Sequence, residues 1–111
     1  MIFTYQITAI DLTTSNNPKY YHINRVLCNW IDVVTNLPVK GWMDRQYVAE
    51  QIDKGQARAF VKVANETIGV SVQKGERGIK YLRTRADNHI EDNLLSLDRY
   101  YNGVRGIKII R

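Results

Sequence analysis

The stretch Asp44 to Gln73 reads DRQYVAEQIDKGQARAFVKVANETIGVSVQ, and its reading decides the fold class. Asp44 is suited to cap a helix, because its carboxylate can accept a free N–H of the first turn. Met43 and Val48 occupy the staple positions on either side of it. Tyr47, Val48 and Ile52 fall on one side, while Arg45, Glu50, Gln51 and Lys54 can stay in water. Gly55 is placed to stop the helix as a left-handed cap. The period then changes from helical to two. Ala57, Ala59, Val61 and Val63 point one way and Arg58, Phe60 and Lys62 the other. Asn65-Glu66 makes a tight turn, and Ile68, Val70 and Val72 face inward on a second strand while Gly69, Ser71 and Gln73 face outward. A helix of three turns needs a sheet to pack on, and a hairpin with one apolar face supplies it.

Working outward, Ile2 to Asp11 alternates as a strand, with Phe3, Tyr5, Ile7 and Ala9 on one face and Thr4, Gln6 and Thr8 on the other. Thr13 to Pro18 is a loop by composition. A second strand, bent or bulged, is expected from about Tyr20 to Val34. Asn36-Leu37-Pro38 ends it as a turn, and Val39 to Trp42 leads into the helix. Lys74 to Gly78 is a charged, Gly-rich loop, and Ile79 to Ala86 a further strand. The expected order is β-β-α-β-β-β: an α+β fold with a small, mostly antiparallel sheet of about five or six strands and one helix packed on it.

The 111 residues fit a single domain, 1–111, and 44% apolar content suffices for one core. Cys28 is the only cysteine, so neither an intramolecular disulfide nor a multi-cysteine metal site can form. No stretch approaches a membrane span, and the N-terminus lacks the basic-then-apolar pattern of a signal peptide. The expectation is a cytoplasmic protein with no membrane partner. Sixteen Lys and Arg against eleven Asp and Glu give +5. Residues 1–73 hold seven basic and six acidic groups and residues 74–111 nine and five, so +4 of the excess lies in the last third. Such a bias suits an acidic partner.

Residues 81–97 read YLRTRADNHIEDNLLSL. This resembles the signature of the family known as domain of unknown function 3892, in which a strand of the form Y-hydrophobic-R-T-x-A-D is followed, after a short turn, by D-N-L-L-x-L. The resemblance extends upstream through His22-Ile23, Trp30 and the Asp44 to Gly55 helix, and covers about residues 7–100. Three features depart from it: Asn88 in place of Gly, Asp98 in place of Pro, and an extension over residues 101–111. The resemblance implies the fold class and carries no activity with it. Asp87 and Asn88 are turn formers, and Asp92 before Leu94, Leu95 and Leu97 marks a helix start whose leucines would plug one end of the core.

The chemical candidates thin out quickly. Asp87, Glu91 and Asp92, with His89 between them, form the only acidic cluster, and their spacing fits no metal motif. His22 stands among aromatics, where a lone histidine packs or hydrogen-bonds more often than it catalyses. Cys28 has no activating neighbour in sequence. Lys74 to Gly78 lacks the following Lys-Ser/Thr helix of a phosphate loop. No catalytic residue, cofactor or metal is expected. What stands out is a strand face: Arg58, Phe60 and Lys62 alternate together, and so do Tyr81, Arg83 and Arg85. As neighbours they would show aromatics among cations, the arrangement that single-stranded nucleic acid or a nucleotide requires. The tail, residues 107–110, alternates as a strand and is a candidate for homodimer pairing.

These residues point to a non-enzymatic binding module for an acidic partner: nucleic acid, a nucleotide, or a protein that handles nucleic acid. Two alternatives are a phage- or mobile-element-encoded inhibitor of host defence, such as an anti-CRISPR protein, and a small enzyme using the Asp87–Asp92 cluster.

Overall fold

The alternation after Gly55 becomes a hairpin in the computed structural model, which describes residues 2–84, 93–101 and 103–105. Strands β1 (Phe3–Leu12), β2 (Ile23–Ile31) and β3 (Pro38–Asp44) precede helix α1 (Arg45–Asp53). Strands β4 (Ala57–Val63), β5 (Glu66–Lys74), β6 (Lys80–Thr84), β7 (Asp98–Tyr101) and β8 (Val104–Arg105) follow it. One sheet runs in the order β3-β2-β1-β4-β5-β6, and the short β7 pairs with both β1 and β8. The α+β class and the single helix stand, with eight strands among the described residues in place of five or six.

The expected order lacked β3. Val39 to Trp42 reads as a lead-in because Pro38 and Gly41 interrupt the apolar pattern, yet Pro38–Asp44 pairs with β2 along its whole length, from Ile31↔Pro38 to Arg25↔Asp44. The expected second strand is also shorter than Tyr20 to Val34. Tyr20–His22 is a 3₁₀ turn, and the chain leaves the sheet after Ile31. The sheet is mixed: five strand pairs are antiparallel, but β1 lies parallel to β4 and to β7. The β2–β3 hairpin and α1 carry the chain back to β1's other edge, where β4 enters in the same direction as β1.

A bulge near Thr8 resets β1. Ile7 pairs with Cys28, but Ala9 pairs with Leu27, so Ile10 and Leu12 join Tyr5 and Ile7 on the inner face while Ala9 and Asp11 turn outward. The core under α1 collects Ile7, Ile10, Leu12, Ile23, Val26, Cys28, Val48, Val61 and Leu82, and Leu94 closes one end of it, as the apolar run after Asp92 implied. The helix buries Val48, Ala49 and Gln51, and Tyr47 is exposed. Gln51, expected in water, goes inside because its Oε1 accepts the Tyr5 hydroxyl at 3.0 Å. Gly55 adopts φ +74° as its stop. The β4–β5 turn sits one residue earlier than expected: Ala64 and Asn65, at φ +50° and +65°, form the left-handed pair of a type I′ hairpin.

The outer edge of β6 is occupied by side chains from α1. Arg45 Nη1 donates to the Lys80 carbonyl, Gln46 Oε1 accepts the Lys80 N–H at 2.9 Å, and Gln46 Nε2 donates to the Gly78 carbonyl at 3.1 Å. Arg45 Nε also reaches the Ile23 carbonyl at 3.2 Å. The sheet therefore curls until β6 approaches the start of β2, and the segment ahead of β2 lies over β6.

Candidate anionic-ligand cleft

The strand face singled out in the sequence forms, but not as neighbouring strands. β5 lies between β4 and β6. The registers Phe60↔Gly69, Ser71↔Arg83 and Gln73↔Tyr81 place Arg58, Phe60, Lys62, Tyr81 and Arg83 on one side of the sheet. Two strand spacings, about 10 Å, separate the β4 and β6 groups, and the floor between them is the exposed Gly69 and Ser71. Arg58 and Lys62 are exposed and Phe60 is half-buried. Arg85 lies outside the described residues, as do Asp87 to Asp92 and the 107–110 tail with the dimer pairing expected of it.

Tyr81 is not an open stacking platform. Its ring meets Tyr20 edge-on at 5.7 Å, the Arg45 guanidinium lies 4.9 Å from its centroid, and its Cε2 comes so close to Gly75 that a Cβ there would stand 2.7 Å away. Tyr81 instead props up Tyr20. Arg83 completes the arrangement, with its guanidinium 4.3 Å from the Tyr20 centroid.

Beside this pair opens a cleft of about 810 Å³, lined by Lys19, Tyr20, Tyr21, Arg83, Leu95 and Arg99 together with Ser15, Asn17, Pro18 and Ser96. Three elements build it: the β1–β2 connection, β6, and the chain entering β7. The 3₁₀ turn holds Tyr20 and Tyr21 in place. His22 Nδ1 accepts the Lys19 N–H at 2.8 Å, the His22 N–H donates to the Lys19 carbonyl at 2.9 Å, and the Thr13 N–H to the His22 carbonyl at 3.0 Å. The Tyr21 ring lies against His22 at 4.5 Å and edge-on to Tyr20 at 5.4 Å. Half of Tyr21 remains exposed, so its ring is open to solvent where that of Tyr81 is covered. Arg99 is positioned by donating Nε to the Leu95 carbonyl at 2.9 Å.

Three cations and two tyrosines thus share one cleft, and none of the described residues that line it is acidic. The sequence reading found Arg83 and missed Lys19, Tyr20, Tyr21 and Arg99. The available signal was Lys19-Tyr20-Tyr21 itself, a cation beside two aromatics at the end of a loop.

β7 is fastened from behind. Asp11 is buried, and its Oδ2 accepts Arg25 Nε at 3.1 Å and Nη2 at 2.7 Å, while its Oδ1 accepts the Gly103 N–H at 3.3 Å. Arg25 lies over Trp42 at 5.3 Å, and Trp42 meets Tyr100 edge-on at 5.0 Å. This clasp ties the β7–β8 turn to β1 and β2 and so sets where Arg99 stands.

The model of the family described as "Protein of unknown function (DUF3892)" matches residues 6–98. The chain belongs to this family. Neither the curated proteins nor the solved structures compared with it hold a match. The matched span takes in the 3₁₀ turn, β6 and most of the cleft lining, and stops one residue short of Arg99.

Chemistry elsewhere is sparse. Among the described residues, no group of three or more His, Cys, Asp and Glu could hold a metal ion, and no helix is long and apolar enough to cross a membrane. Burial pushes the Cys28 thiol up to about 12, which leaves it protonated and unreactive. Asp53 is held below the usual carboxylate range by Lys80 at 3.1 Å and Lys74 at 3.5 Å. Both contacts tie the end of α1 to β5 and β6.

Proposed function

We propose that the protein is a non-enzymatic binding module for single-stranded nucleic acid, held in the cleft between the Tyr20–His22 turn, β6 and β7. The observation that carries this reading is that Lys19, Tyr20, Tyr21, Arg83 and Arg99 line one cleft. Single strands require a π-surface for an unstacked base and cations for the phosphates on either side. Tyr21 supplies the surface. Lys19, Arg83 and Arg99 supply the charge, and Arg83 and Arg99 are held in place by contacts of their own.

The β4 face extends the track. From Arg83 the open side of the sheet passes over Ser71 and Gly69 to Phe60, flanked by Arg58 and Lys62. A strand bound in the cleft could continue over this floor, where the small side chains leave room for a backbone and the flanking cations line its path. A duplex lacks the exposed base faces that Tyr21 and Phe60 would stack on.

The test is fluorescence anisotropy with labelled oligonucleotides. Tyr21→Ala removes a stacking surface and should weaken single-strand binding by about 1–3 kcal/mol. Arg99→Ala should weaken it across sequences and flatten its salt dependence. Duplex binding, where measurable, should respond to Arg99→Ala and not to Tyr21→Ala. Unchanged single-strand affinity in both variants would remove the cleft from the account.

A further inference from the structure

The β2–β3 turn is an exposed aliphatic knuckle. Ile31, Val33, Val34 and Leu37 are exposed by 54, 55, 89 and 61%. Large apolar side chains exposed singly are ordinary, but four on one turn form a patch. Part of the turn's backbone is bonded within the turn. Asp32 Oδ1 accepts the N–H groups of Val34 and Thr35 at 2.8 and 3.0 Å. The Asn36 N–H donates to the Asp32 carbonyl, and the Asp32 N–H to the Leu37 carbonyl, at 2.8 and 2.9 Å. These bonds occupy the N–H groups of Asp32, Val34, Thr35 and Asn36 and hold the Asp32 carboxylate back against the turn's own backbone, so the four aliphatic side chains project past it.

Cations stand behind it. Lys40↔Asn29, Asn29↔Gln6 and Gln6↔Phe60 form one row across the sheet, and Thr4↔Arg58 and Ile31↔Pro38 belong to its turn-facing end. Lys54 joins that end, because the Phe3 N–H bonds the nearby Gln56 carbonyl at 3.0 Å. Lys40, Lys54 and Arg58 are exposed, and none takes part in the ion pairs formed among the described residues.

We propose that this knuckle docks on an anionic lipid surface, with Ile31, Val33, Val34 and Leu37 entering the boundary between headgroups and acyl chains and Lys40, Lys54 and Arg58 lying against the headgroups. An aliphatic tip with cations behind it matches such an interface. A protein pocket selects aromatic and arginine anchors, and the tip has neither. The expectation of no membrane partner rested on the lack of a spanning segment, which a surface-docked turn does not need. The knuckle lies at the far end of β2 from the Tyr20–His22 turn, about 26 Å along the strand, so this surface is separate from the cleft and shares only Arg58 with the track over β4.

The experiment is co-flotation of the full chain with phosphatidylcholine vesicles containing about one-third phosphatidylserine, at low salt. An environment-sensitive dye on Val34→Cys reports depth, and the buried Cys28 does not compete for the label. The wild type should float and the dye brighten. Val34→Asp with Leu37→Asp should lower partitioning by about tenfold or more, and Lys40→Glu with Arg58→Glu by at least about fivefold per cation removed. All four positions are exposed or half-exposed, and circular dichroism confirms that each variant is folded. Arg99→Ala should float like the wild type, which separates this surface from the cleft. A wild type that stays in solution overturns the proposal and leaves a protein pocket as the partner. Flotation that survives the double Asp variant, that fails in Arg99→Ala, or that leaves the dye dim also overturns it.

Discussion

Replacing Arg25 by Met should destabilise the protein by about 2 kcal/mol. The Asp11 side chain is only 3% exposed, and Arg25 is its charged partner at 2.7 Å. Without Arg25, the carboxylate keeps, among the described residues, the Gly103 N–H at 3.3 Å. Breaking a buried pair by removing one member typically costs about 3–5 kcal/mol. Arg25 is 37% exposed, so solvent already screens part of the interaction and the lower figure follows. In a domain of this size the loss corresponds to a fall of about 8 °C in the melting temperature. Asp11→Asn should cost less, because the amide leaves no buried charge. Urea unfolding followed by circular dichroism and by tryptophan fluorescence gives both free energies, and the Arg25→Met/Asp11→Asn double mutant closes a cycle. A coupling of about 1 kcal/mol or more is expected for groups in contact. Because the clasp also anchors the turn after β7, Arg25→Met should weaken oligonucleotide binding through Arg99 without touching the cleft. A stability change under about 0.5 kcal/mol, or additive single mutants, would refute the claim that this ion pair fastens β7.

Two further outcomes follow from backbone and burial. Ala64→Gly should stabilise the protein by about 0.5–1 kcal/mol in the same urea assay, since alanine at φ +50° bears a left-handed penalty that glycine escapes. Cys28 should resist thiol reagents in the folded protein and react on unfolding. Its thiol ionises near 9.0 when exposed and near 12 in the fold, so the unfolded state loses its proton first. The stability gained by burying the neutral thiol is therefore complete below 9.0 and declines as pH rises toward 12. Cys28→Ala should flatten stability over that window in urea titrations.

What the sequence disclosed follows from how local each feature is. The β4–β5 hairpin and the Gly55 stop rest on alternation and on a single backbone requirement, and both were legible. β3 was not, because Pro38 and Gly41 break its pattern and the ladder to β2 restores it only in three dimensions. The parallel β1–β4 pairing leaves no local mark, since Phe3 and Ala57 are brought together by the intervening chain. Gln51 looked like a surface residue because its partner, Tyr5, is 46 positions away. Within the site, strand period alone groups Arg58 with Phe60 and Lys62, and Tyr81 with Arg83; that the two groups share a face depends on the registers through β5. That Tyr81 is consumed by Arg45, Tyr20 and Gly75, and that Tyr21 takes the open position, depends on the curl that lays the Tyr20–His22 turn over β6.

The most direct test of the central claim is the salt dependence of binding to a labelled single-stranded oligonucleotide. Three cleft cations at Lys19, Arg83 and Arg99 predict a log–log slope of about −2, and engagement of Arg58 and Lys62 as well steepens it to about −3.5. Arg99→Ala should reduce the slope by about 0.7. A flat response to salt, or no single-strand binding at the lowest salt, would contradict the account.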